Sequence, residues 1–132
     1  MIYLDANIFI YVLTGDTRRR ESCLSLLRTV ISGESEACTS FLTWDEVLYA
    51  LIKEIGRKDA LEESRKFLEI PRLTFLEVNP KIISMAQRLA ESYQLNPRDA
   101  IHAATAIIQG CKEIISDDRD FDKVKELRRV SP

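Results

Sequence analysis

The 132-residue chain carries one histidine, three cysteines and no surplus of basic charge, and each scarcity removes a class of function. A lone His102 cannot supply a two-histidine metal site, and a Ser-His-Asp triad would need a neighbouring serine that no motif marks out. Cys23, Cys38 and Cys111 form no C-x-x-C pair and leave an odd thiol over, which fits a reducing cytoplasm and small buried side chains. No apolar run approaches the ~20 residues of a membrane span, and no basic stretch precedes the first apolar one, so a soluble, unexported protein is expected. A formal net charge of -2 gives no bulk attraction for nucleic acid, so a polyanion would have to be met by a local patch or through metal ions. Repeats, low-complexity stretches and linkers are absent.

What remains is an ordinary globular composition, 45% hydrophobic and 30% charged. The length predicts a single domain, residues 1–132, that buries roughly two-thirds of its unfolded surface. Short apolar or β-branched segments at 2–4, 36–41, 73–78, 113–115 and 127–130 read as strands. Helical stripes lie between them. Leu24, Leu27 and Ile31 share a face before Gly33, and Val47, Leu48, Leu51, Ile52 and Ile55 form a stripe that stops at Gly56; both glycines stand where a left-handed cap is wanted. Asn79-Pro80 and Asn96-Pro97 each read as a helix start, the second helix ending near Gly110. Strands alternating with helices predict a three-layer α/β/α domain around a central parallel sheet of about five strands.

In such a sheet the strand C-termini gather at one edge, and acids at those junctions converge. Asp5 follows the first strand, Glu46 opens the helix after the second, Asp99 lies in the first turn of the Asn96-Pro97 helix, and Asp117, Asp118 and Asp120 follow I-I-S. Helix capping offers a competing account of most of them. Thr43-Trp44-Asp45-Glu46 reads as a capping box, Asp99 as an N3 residue, and Asp117 or Asp118 as the cap of a helix containing Phe121 and Val124. Asp5 has the weakest such account, because Asn7 is available to cap the following helix. Carboxylates brought together repel unless a cation neutralises them, and oxygen donors without cysteine or histidine pairs favour Mg²⁺ or Mn²⁺. His102, one turn beyond Asp99, is expected to have a structural or supporting role.

The residues resemble a PIN-domain ribonuclease of the VapC toxin type, over residue 2 to the end. The carriers are L-D-A-N-I-F-I-Y at 4–11, L-T-W-D-E-V at 42–47, L-N-P-R-D-A-I-H-A-A at 95–104 and I-I-S-D-D-R-D-F at 114–121. The resemblance implies a PIN-like (Rossmann-like) parallel sheet, an acidic pocket for one or two Mg²⁺ or Mn²⁺ ions, cleavage of single-stranded RNA, a homodimer and a cognate antitoxin. The family's catalytic, metal-binding acids fall on Asp5, Glu46, Asp99 and Asp118, with Asp117 the alternative for the last. Asn7 and Ser116 match its small polar positions, Ser116 standing where many members carry threonine, and Asp117 and Asp120 could support the ligating set.

Metal-assisted phosphodiester hydrolysis, leaving 5′-phosphate and 3′-hydroxyl ends, is the activity this implies. Arg18, Arg19 and Arg20 stand where a helix begins after Asp16 and Thr17, a poor place for cations, so either a solvated face or phosphate contact explains them. Lys53, Arg57, Lys58 and Arg98 have weaker grounds for RNA contact. Trp44 either packs as a first-turn hydrophobe or stacks a base. The helix after Asp5 is apolar nearly all round, so a dimer or antitoxin is expected to cover its second side. The rival reading is a catalytically inactive module of the same fold that binds RNA or an antitoxin, its acids reduced to caps. A phosphorylatable receiver lacks its acidic pair here, and a haloacid-dehalogenase-type phosphatase lacks D-x-D because Asn7 stands in the second place.

Overall fold

Five short strands, the inner three largely buried, build the centre of the protein in a computed structural model that describes residues 1–15 and 17–132. They are β1 (Ile2–Leu4), β2 (Ala37–Ser40), β3 (Leu73–Leu76), β4 (Glu113–Ile115) and β5 (Arg128–Val130). All pairs are parallel, in the order β3-β2-β1-β4-β5. Helices α1 (Ala6–Thr14), α2 (Thr17–Ser32), α3 (Leu42–Ile55) and α4 (Arg57–Leu68) precede β3, α5 (Pro80–Tyr93) and α6 (Pro97–Gln109) precede β4, and a 3₁₀ turn (Arg119–Lys123) precedes β5.

The strand period of two sorts side chains between two cores. Leu4, Ala37, Leu73 and Ile115 pack with Phe9, Leu27, Val47, Leu51 and Phe67 from α1 to α4. Tyr3, Cys38 and Ile114 pack against Ile82, Ala86 and Leu89 of α5 and the alanines of α6. Edge-to-face contacts of Phe67 with Phe9 and Phe75, centroids 4.8 and 5.2 Å apart, weld α1 and α4 to β3. On the opposite face Ala100, Ala103, Ala104 and Ala106 are all buried, and their small side chains let the α6 backbone lie close to the sheet.

Local chemistry explains most boundaries. Asn79 caps α5, its Oδ1 accepting from the Ile82 N–H at 3.0 Å, with Pro80 in the first turn. Gly33 and Gly110 end α2 and α6 at φ 83° and 88°. Three expectations need correction. The Thr43 to Glu46 capping box does not form: α3 starts two residues earlier than that box requires, at Leu42 behind Phe41, and the Thr43 hydroxyl instead meets Thr39 Oγ1 at 2.7 Å in the core. Gly56 has φ 82° but an extended ψ of 163°, so it is a sharp joint from α3 straight into α4. The helix around Phe121 is only the five-residue 3₁₀ turn, with Val124 at its C-cap. Helix α4, which the charged sequence hides, was not anticipated. Asp16, expected just before α2, lies outside the described residues.

Candidate active site

The sheet order reverses beside β1: β1 leads through α1 and α2 to β2, while β4 arrives on its other flank from the opposite face. The crevice at such a reversal is where open α/β sheets bind ligands. Asp5 occupies it directly, its N–H bonded to the Ile115 carbonyl at 3.1 Å. Its buried carboxylate is densely held. Oδ1 accepts from the Ala6 N–H at 2.8 Å, and Oδ2 accepts from the Ser116 hydroxyl at 2.6 Å and from Asn7 Nδ2 at 3.2 Å. Asp5 is therefore the N-cap of α1, which reverses the expectation that Asn7 would cap and that Asp5 had the weakest capping role. Asn7 instead braces Asp5 and Ser116 Oγ, and its own Oδ1 is buried without a hydrogen-bond partner.

The other acids come from three more junctions. Glu46 in α3 and Asp99 in the first turn of α6 line an open cavity of about 580 Å³ with Asp118 and the Asn96-Pro97-Arg98 start of α6. Ser116 Oγ accepts from the Asp118 N–H at 3.0 Å, and Asp118 Oδ1 accepts from the Asp120 N–H at 2.9 Å, so Asp118 also caps the 3₁₀ turn. Ligand atoms of Asp99, Asp118 and Asp120 all lie within 4.8 Å of one another, as do those of Asp5, Glu46 and His102. Asp117 is turned elsewhere: it accepts from the Tyr11 hydroxyl at 2.6 Å and pairs with Arg19.

His102, fully buried on α6, joins the set from below. Its Nδ1 meets the Tyr3 hydroxyl at 2.6 Å, its Nε2 is hydrogen-bonded to Glu46 Oε1, and Asp5 Oδ1 lies 3.7 Å from Nε2. No sequence signal pointed to Tyr3, which reads as one core residue of a three-residue strand.

The electrostatics describe a site short of positive charge. Burial raises the Asp5 carboxyl above its ordinary range, although His102, Ser116 and the Ala6 amide pull it down. Asp99 is pushed up to about 7, by burial first and then by the charges of Asp118, Asp5 and Asp120. Burial alone would lower the His102 pKa, but the Glu46 hydrogen bond and the charges of Asp5, Glu46 and Asp99 outweigh it and raise it. Four carboxylates of hard oxygen donors, with a partnerless amide oxygen on Asn7 beside them, fit a divalent cation of the Mg²⁺ or Mn²⁺ type.

The proposed nucleic-acid contacts are mixed. Arg18 is exposed, Arg19 is engaged with Asp117, and Arg20 Nε donates to the Val12 carbonyl at 3.3 Å. Arg98 pairs with Asp45 at 3.1 Å on the cavity rim. Trp44 is 40% exposed, so its ring is not consumed by packing.

Sheet order and cleft together define a parallel α/β/α domain with an acidic pocket at its topological switch point. The PIN domain family model matches residues 2–127, and the chain belongs to that family. Similar folds occur in VapBC2 from Rickettsia felis bound to a DNA fragment from their promoter (TM-score 0.78, 18% identity, 99% of this chain and 98% of that one) and in VapC20 of Mycobacterium tuberculosis, a Sarcin-Ricin loop cleaving toxin (0.76, 14%, 95% of each). A toxin-antitoxin complex from Klebsiella pneumoniae aligns at 0.73 and 22% identity over 97% of this chain and 96% of that one. No curated protein matches the chain in sequence.

Proposed function

We propose that the chain is a metal-dependent endoribonuclease that cleaves phosphodiester bonds of single-stranded RNA, as the toxin of a toxin-antitoxin pair. The observation that carries this reading is the approach of carboxylates from four junctions: Glu46, Asp99 and Asp118 line one cavity, and Asp5 is close enough that its charge, after burial and with those of Asp118 and Asp120, helps push Asp99 up to about 7. A divalent ion bound there supplies an activated water and offsets charge at the scissile phosphate. Asp5 and Asp99 would be its principal holders, with Glu46 and Asp118 completing the set. Ser116, Asn7 and the Asp120 amide keep those carboxylates aimed, the first two on Asp5 and the last on Asp118. Trp44, exposed beside Glu46, offers a face on which a base can stack.

Partners follow from the apolar surface. Phe9, Val12, Leu13, Leu24, Leu27 and Phe67 line an apolar groove of α1, α2 and α4, which suits an apolar segment of an antitoxin. Exposed Phe41 and Tyr49 on and before α3 suit a second copy of the chain. Among the described residues no helix is long and apolar enough to cross a membrane, and the three free, buried thiols fit the cytoplasm.

The test is Mn²⁺ titration of the wild type by calorimetry, followed by digestion of a single-stranded RNA with and without chelator. Cleavage that needs the metal and disappears in Asp99→Asn supports the reading. Tight RNA or antitoxin binding with no metal-dependent cleavage would replace it with the inactive binding module.

A further inference from the structure

We propose that His102 is the positioning residue of the acidic centre: a proton on its Nε2 holds the Glu46 carboxylate, and His102 is not itself a ligand. The inference rests on the reading of Glu46 as an ion-facing carboxylate.

Hydrogen-bond accounting fixes the direction of each contact. The Tyr3 hydroxyl accepts from the Ser40 N–H at 3.2 Å, and among the described residues the one acceptor within reach of its own proton is His102 Nδ1 at 2.6 Å. A neutral imidazole has one donor and one acceptor nitrogen, so with Nδ1 accepting, the proton resides on Nε2. That nitrogen faces only carboxylate oxygens, Glu46 Oε1 in direct contact and Asp5 Oδ1 at 3.7 Å, and carboxylates accept. A bare Nε2 would set lone pair against lone pair in a ring with no solvent access. While that proton stays on Nε2 the ring offers no lone pair there to an ion, and ligation would require its displacement. One hydrogen-bonded chain thus runs from the β2 backbone through Tyr3 on β1 and His102 on α6 to Glu46 on α3. It sets the direction from which Glu46 enters the cavity it shares with Asp99 and Asp118.

Because His102 is the only histidine, a long-range ¹H–¹⁵N spectrum of the uniformly labelled wild type reports its ring without assignment. It is recorded with chelator and then with saturating Mg²⁺, which is diamagnetic. The expected result is a protonated Nε2 in both states; a bare Nε2 in either overturns the proposal. Two variants add a second readout. His102→Gln can keep an N–H donor near the Nε2 position, whereas His102→Leu removes it. Calorimetry should show Mn²⁺ affinity falling about tenfold or more in His102→Leu and largely recovered in His102→Gln. Variants that lower the melting temperature but leave Mn²⁺ affinity unchanged would make His102 merely structural and overturn the role. A wild type that binds no Mn²⁺ defeats the nuclease reading and this role with it. A wild type that binds Mn²⁺ through a bare Nε2 defeats the positioning role alone.

Discussion

Asp99→Asn should make the metal-free protein more stable while removing its response to metal. The carboxyl has an ordinary value of 3.8 and is raised to about 7, so the folded state holds this proton more tightly than the unfolded state. Between those two values the native protein binds more protons, and stability therefore falls as pH rises through the window, with the full cost present above about 7. The unscreened cost is about 4 kcal/mol. Because Asp99 is only half-buried, solvent screening reduces it to ~1–2 kcal/mol. An amide of the same shape carries no such cost. Thermal melts by circular dichroism in chelator should place the variant roughly 3–8 °C above wild type at pH 8 and level with it at pH 4. Added Mn²⁺ should raise the wild type, by about 2.7 kcal/mol at a hundredfold excess over Kd, and leave the variant nearly unmoved. A variant no more stable than wild type at pH 8, or one stabilised equally at both pH values, would refute the cost that burial and neighbouring charge impose on an ionised Asp99.

Three further outcomes follow from the geometry. Asp118→Asn should abolish metal-dependent RNA cleavage, whereas Asp117→Asn should leave it largely intact and loosen only the Tyr11 and Arg19 contacts; side-by-side digestion with equal Mn²⁺ separates them. Asp5→Asn should end cleavage and also cost ~1–3 kcal/mol in urea melts relative to Asp99→Asn, because its new N–H₂ must face either the Ala6 amide or the donors of Ser116 and Asn7. Phe67→Ala should cost about 3–5 kcal/mol in the same melts, since it empties the edge-to-face cluster joining α1, α4 and β3.

The strands were legible because parallel strands covered on both faces need uninterrupted apolar runs, and the runs at 2–4 and 113–115 coincide with β1 and β4. Helix α4 was not legible. Only Ala60, Ser64 and Phe67 are buried along it, among seven charged residues of twelve, and it follows Gly56 with no side-chain cap to announce it. Of the site, the acids at the junctions could be read from the sequence because topology alone brings strand ends together. The choice between neighbouring Asp117 and Asp118 could not, since it depends on Tyr11 and Arg19 drawing one of them away. Tyr3 and His102 are 99 positions apart, and their contact depends on how closely an alanine-rich α6 approaches the sheet.

Capping a helix and holding an ion are compatible duties for one carboxylate. Asp5 does cap α1, yet an ionised carboxylate has about four lone-pair sites and its protein partners occupy three: Ala6 on Oδ1, and Ser116 and Asn7 on Oδ2. The remaining site belongs to Oδ1, the oxygen 3.7 Å from His102 Nε2. Asp118 divides its duties in the same way, spending Oδ1 on the Asp120 amide while lining the cavity with Asp99. The caps fix these carboxylates in one orientation before any cation arrives. Glu46 and Asp99 have no capping bond, and Glu46 receives its orientation instead from His102, so the site's rigidity comes from backbone amides at two acids and from an imidazole at a third.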